Sequence, residues 1–181
     1  MDWKNSRTGY GLPSVAFHWL MLALLLAVSA TMELRGIFPR GSDQRTVMMS
    51  WHYMLGLTVF ALVWLRLLLR SIGDHPEVDP PPPPWQAALA RVTQWVLYGL
   101  MIALPVLGWL AASAKGAPLS FFGADVPPLI GKSEAAGKWL KEVHATLATT
   151  GYFVVGLHAA AALYHHYMRR DNTLRLMLLS R

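Results

Sequence analysis

The stretch VHATLATTGYFVVGLHAAAALYHHYM, Val143–Met168, decides the fold. It contains no Asp, Glu, Lys or Arg, and a membrane-crossing helix needs about 20 predominantly apolar residues. Yet it carries His144 and His158, with His165 and His166 near its end. Ionisable side chains within an apolar span are expensive and mark function by default. His144 and His158 are fourteen positions apart, about four helical turns, so both rings share one face with about 21 Å of rise between them. Two ligand-type residues on one face, at two depths, call for partners at matching depths on other helices.

Three further spans supply the rest of an all-α membrane protein. They run over about Ser14–Leu34, Val47–Arg70 and Ala87–Ala112, with the fourth at about 143–168 and an earlier start left open because Ala135–Glu142 lacks Gly and Pro except Gly137. Pro13 suits a first-turn position, and Pro105 inside the third span is tolerated in a membrane helix. No span alternates as a barrel strand would. Lys4 and Arg7 before the first span, with VSA inside it, resemble a secretion signal. That reading is set aside because the run is long and carries the pair His18–Trp19. The whole chain, 1–181, is read as a single membrane domain. Its loops fall at 35–46, 71–86 and 113–142, the second containing DPPPPP at Asp79–Pro84, a stiff spacer.

Composition agrees. The chain is 54% hydrophobic and 14% charged, well below the quarter charged of an average soluble domain. Absence of cysteine excludes disulfides, iron–sulfur clusters, thiolate zinc sites and covalently attached c-type haem. Sixteen Lys+Arg against ten Asp+Glu reads as membrane flanks rather than nucleic-acid binding. With four spans both termini share a side. That side holds nine basic residues, Arg181 among them, against seven opposite, which places both termini in the cytoplasm.

This topology sets His18, near the start of the first span, at the cytoplasmic depth of His158. It sets His52, near the start of the second, at the outer depth of His144. Two His–His pairs result, and neutral imidazole ligates haem iron from both faces of the porphyrin. Zinc or di-iron chemistry is the competing reading, but it favours carboxylates, and none lies well inside a span. In a third reading the histidines only bond helices together. His165 fits the ladder poorly, since about 10.5 Å of rise from His158 is cramped for a second macrocycle. Gly56, Gly151, Gly156 and Ala159–Ala162 allow either close helix approach or room for a flat ligand. Arg66 and Arg70 are candidates for haem propionates or plain cytoplasmic anchors. Trp19, Trp51 and Trp109 read as interface belt or core, and His75 has no assigned role.

The stretches FHWLM (Phe17–Met21), MELRGIFPR (Met32–Arg40), VWLRLLLR (Val63–Arg70), IALPVLG (Ile102–Gly108) and GYFVVGLHAAAALYHHYMRRDNTL (Gly151–Leu174) resemble the small bacterial cytochrome b561 membrane proteins, also described as superoxide oxidases. The resemblance implies a four-helix bundle in the bacterial inner membrane enclosing two haem b groups. It implies His18 and His158 as ligands of the cytoplasmic haem, and His52 and His144 as ligands of the outer one. It further implies electron transfer between a donor at the outer face and ubiquinone, with superoxide as the leading donor. A mildly basic outer surface would steer that anion. His165 is then a candidate to bond a quinone carbonyl or propionate, and His166 to relay protons. No other catalytic side chain is assigned. The alternative is a haem-carrying anchor that relays electrons for a separate redox subunit. Oligomeric state is not legible in the sequence.

Overall fold

A computed structural model describes residues 3–178, so Arg181 of the charge count lies outside the described residues. Four helices carry the chain: α1 (Leu12–Arg35), α2 (Asp43–Ser71), α3 (Pro84–Lys115) and α4 (Glu134–Tyr164). A turn of π-helix, His165–Arg169, continues α4, and a 3-10 turn covers Arg175–Met177. All four are long and apolar enough to cross a membrane. Their surfaces agree, for Leu26, Phe153 and Leu157 are 63%, 75% and 62% exposed. Such a surface would aggregate in water and is satisfied by lipid. The chain is a multi-pass, mostly helical membrane protein.

Every helix extends beyond the apolar pattern alone, and α2 and α4 do so behind polar caps. Ser42 accepts the backbone N–H of Arg45 through Oγ at 3.3 Å, and Asp43 favours the positive end of α2, so that helix starts four residues before Val47. Pro84, last of the proline run, opens α3. The largest extension concerns α4, where the earlier start left open by the scarcity of Gly and Pro over Ala135–Glu142 is realised and the helix begins at Glu134. Ser133 starts it, with its Oγ bonded to Ala136 N at 3.3 Å and its carbonyl to Gly137 N at 2.9 Å.

Residue packing divides the chain into two compact units. In the unit formed by 3–20, 64–99 and 150–178, Asn5 ties helix ends together. Its Oδ1 accepts from Gly11 N at 2.9 Å and Ser14 Oγ at 2.8 Å, at the start of α1. Its Nδ2 donates to the Leu69 and Ile72 carbonyls at 3.3 and 3.4 Å, at the end of α2. Asn172 fastens the proline loop, exchanging bonds with Asp79 (2.9 and 3.0 Å) and donating to the Glu77 carbonyl at 3.2 Å. Trp19 donates to the Met177 carbonyl at 2.7 Å. Asp171, with no exposed side-chain surface, accepts from Thr173 N at 3.0 Å and from His165 Nδ1 at 2.5 Å.

The second unit comprises 21–63 and 100–149. Ala111, Ala114 and Leu140 form its buried cluster. A two-residue turn at Phe122–Gly123, both at positive φ, closes the hairpin of β1 (Ser120–Phe121) and β2 (Ala124–Asp125). Trp109 donates to the Pro127 carbonyl at 3.0 Å, and Ser113 Oγ accepts from Leu129 N at 3.0 Å, which fasten the long loop to α3.

Two outcomes test this framework. Asn5→Ala should destabilise the purified protein by about 1–3 kcal/mol, because it strands buried partners. Arg7→Ala, which breaks the exposed 3.1 Å pair with Glu77, should cost under about 1 kcal/mol. Scanning calorimetry in detergent separates the two. Burial pushes the Asp171 carboxyl up, but the bonds from His165 and Thr173 outweigh it and hold the group below the usual carboxylate range. The unfolded chain therefore binds this proton at higher pH than the folded one. The resulting stabilisation is present above about pH 4 and lost as pH falls through the folded value. Melting midpoints of wild type and Asp171→Asn should differ at neutral pH and converge on acidification.

Candidate functional site

Each unit holds one histidine pair. In the second unit, His52 on α2 and His144 on α4 have ring centroids 6.1 Å apart at 79°. In the first, His18 on α1 and His158 on α4 are 6.3 Å apart at 55°. Two metal–imidazole bonds of about 2.0–2.1 Å, plus about 1.2 Å from each nitrogen to its ring centre, sum to about 6.4 Å. Both separations suit one metal ion held between two imidazoles. They also fall within ordinary edge-on ring packing, so the state of the ring nitrogens carries further weight.

Those nitrogens are set by the backbone in the second unit. His52 Nδ1 lies 3.2 Å from the Val28 carbonyl and 3.3 Å from Thr31 Oγ1. The Thr31 hydroxyl already donates to the Val28 carbonyl at 2.6 Å. Nδ1 is therefore the donor toward the carbonyl, and the Nε2 lone pair remains for a ligand. His144 Nδ1 donates to the Leu104 carbonyl at 2.9 Å, with the same consequence. Gly108 leaves space for this ring, since a Cβ there would stand 3.3 Å from His144 Cε1.

His18 is arranged differently. Arg66 Nη2 donates to its Nδ1 at 2.9 Å, and a guanidinium cannot accept. The ring proton then sits on Nε2, so metal binding there requires loss of that proton or withdrawal of Arg66. Arg66 is itself steadied by Tyr98, whose hydroxyl accepts from Nε at 3.3 Å. Arg70 instead lies 5.9 Å over the Trp95 ring. His158 is exposed. An imidazole left bare to hydrocarbon is costly, so this residue calls for a group that covers it.

Among the described residues, no cluster of three or more His, Cys, Asp or Glu is placed to hold a metal ion. Each pair thus offers two protein ligands. Tetrahedral zinc takes three or four, whereas porphyrin iron takes its other four from the macrocycle. The donor set therefore fits haem. The glycines agree, since a Cβ at Gly56 or Gly156 would meet nothing within 4 Å. Neither serves close helix approach.

His165 is held by Asp171, while His166 Nδ1 is buried without a hydrogen-bond partner. His75 is exposed on the proline loop. Sequence reasoning missed Asp171, Thr31, Tyr98 and Gly108. Asp171 had a readable signal, an Asp two residues before Thr173, the spacing of a local Asx bond.

Residues 9–179 match the family model described as prokaryotic cytochrome b561. Cytochrome b561 homolog 1 of Escherichia coli (strain K12) is 38% identical over 164 residues, covering 91% of this chain and 93% of that protein. A protein named probable superoxide oxidase CybB, from Yersinia pestis, is 36% identical over 169 residues, covering 93% and 95%. Cytochrome b561 homolog 2 of Escherichia coli (strain K12) is 30% identical over 186 residues, covering 98% and 95%. The family match covers the four helices and both histidine pairs, and the family carries haem b as the cofactor and electron transport as the class of activity. The chain belongs to the prokaryotic cytochrome b561 family.

Proposed function

We propose that this protein is a di-haem oxidoreductase of the bacterial inner membrane, taking electrons from superoxide at the outer face and delivering them to ubiquinone. The observation that carries the reading is the pairing of His52 with His144 and of His18 with His158 at 6.1 and 6.3 Å. When bound, haem b supplies a one-electron carrier at each pair. The net reaction balances as two superoxide anions, one ubiquinone and two protons giving two dioxygen molecules and one ubiquinol. The similarity to a probable superoxide oxidase favours this donor.

Orientation follows the basic residues, with both termini cytoplasmic. His52 and His144 are then the outer pair, their Nε2 lone pairs kept available by the Val28 and Leu104 carbonyls. His18 and His158 are the cytoplasmic pair. Arg66 stands beside His18, where its guanidinium would be free to hold a haem propionate once that contact is released, and Arg70 is the second candidate for such a contact. His165, oriented by Asp171 through Nδ1, would offer its other nitrogen to a quinone carbonyl. His166 is the candidate proton relay.

Purified protein mixed with a superoxide generator and ubiquinone should show superoxide consumption that depends on quinone and yields ubiquinol. Consumption without quinone dependence, or none, would return the chain to the reading of an anchor serving another redox subunit. Ligand roles are separable. His158→Ala should lower haem from about two to about one per chain, measured by pyridine haemochrome against protein mass, and retention of both haems contradicts the assignment. Gly108→Val should weaken haem at the His52–His144 pair by crowding His144, and leave the optical signature of the other haem in place.

A further inference from the structure

The connection between α1 and α2 holds a concentration of charge to which the redox reading assigns only a general steering of anions. Arg35, the last residue of α1, joins Arg40, Gly41, Arg45, Thr46 and Met49 around a cavity of about 530 Å³. Half of these lining residues are arginines and none is a carboxylate. Like charges gathered in one concavity repel, and an anion among them relieves the repulsion.

Two features show that the cavity is prepared for acceptor oxygens. Arg45 Nη1 donates to the Arg35 and Phe38 carbonyls at 3.4 and 3.1 Å. That pins the guanidinium across the C-terminal end of α1, where carbonyl dipoles favour a cation. Only one of its nitrogens is engaged in those bonds, and a guanidinium carries five N–H donors. Arg35 Nε is buried and has no hydrogen-bond partner, a state that an incoming oxygen would correct.

Size and position narrow the ligand. A water molecule occupies about 30 Å³, so the cavity far exceeds the need of a diatomic anion. Guanidinium forks match the oxygens of phosphate. Arg35 and Arg45 stand where two apolar spans end, the level at which lipid headgroups lie. We propose that the Arg35–Arg40–Arg45 cavity binds a phosphate group, presented by an anionic phospholipid headgroup or by inorganic phosphate. The proposal is independent of the superoxide reaction.

Two arms separate the sources. The full-length haem-loaded protein is titrated in detergent with inorganic phosphate and followed by calorimetry. In parallel, it is released from nanodiscs of phosphatidylglycerol and phosphatidylcholine and examined by native mass spectrometry for retained phosphatidylglycerol. Saturable binding in either arm, weakened at least about tenfold in Arg35→Gln/Arg45→Gln, supports the site and tells which source fills it. Absence of binding in both arms, or binding undiminished in the double variant, overturns it. Should the double variant fail to fold, Arg40→Gln decides, because Arg40 is exposed. Weaker binding then supports the site and unchanged binding overturns it. Every readout is binding, so failure here leaves the redox reading standing, and failure there leaves this one.

Discussion

An imidazole inside hydrocarbon needs both ring nitrogens engaged, because an unmet polar group there costs several kcal/mol. This constraint organises the molecule. At His52 and His144 the backbone carbonyls of Val28 and Leu104 engage one nitrogen of each ring, which fixes the tautomer and presents the other to a ligand. The carbonyls come from α1 and α3, so the site draws on elements that carry no ligand of this pair. At His18 it is Arg66 that engages Nδ1, as a donor, which leaves the proton on Nε2 until that contact is released and brings a positive charge within reach of the ring. The two pairs therefore offer different electrostatic surroundings to a bound haem, and second-shell partners of this kind tune a metal centre.

Much of this was legible in the sequence, for a physical reason. Twenty-residue apolar runs have few outcomes, and the four-turn spacing from His144 to His158 restricts both rings to one helix face. Given helix polarity, the partners His18 and His52 follow from depth alone. What the sequence did not disclose rests on short-range polar geometry. Hydropathy ends the fourth span near Val143, since four of the nine residues Glu134–Glu142 are charged, and the only sign of the earlier start that Ser133 caps is the scarcity of Gly and Pro there. Thr31 and Gly108 look like ordinary residues of apolar spans. Their roles, beside the His52 hydrogen bond and against the His144 ring, depend on which helix faces which.

The chain ends show a related economy. Asn5 serves the first turn of α1 and the last turn of α2 together, and Asn172 holds the proline loop to the C-terminal segment. Asp171 then fixes His165 from a buried position. Polar residues outside the apolar spans thus decide how the helix ends are closed, while the spans themselves supply the lipid-facing surface. The arginine-lined cavity follows the same division, at the boundary where the spans of α1 and α2 stop.

The central claim is that each His pair holds one iron between two imidazoles. Electron paramagnetic resonance of the oxidised purified protein tests it most directly, because spin state reports axial ligation. The account predicts two low-spin ferric haem species in about equal amount, with separate signals reflecting the arginine beside one pair and the carbonyls beside the other. A single species, or a substantial high-spin signal from five-coordinate iron, would contradict it.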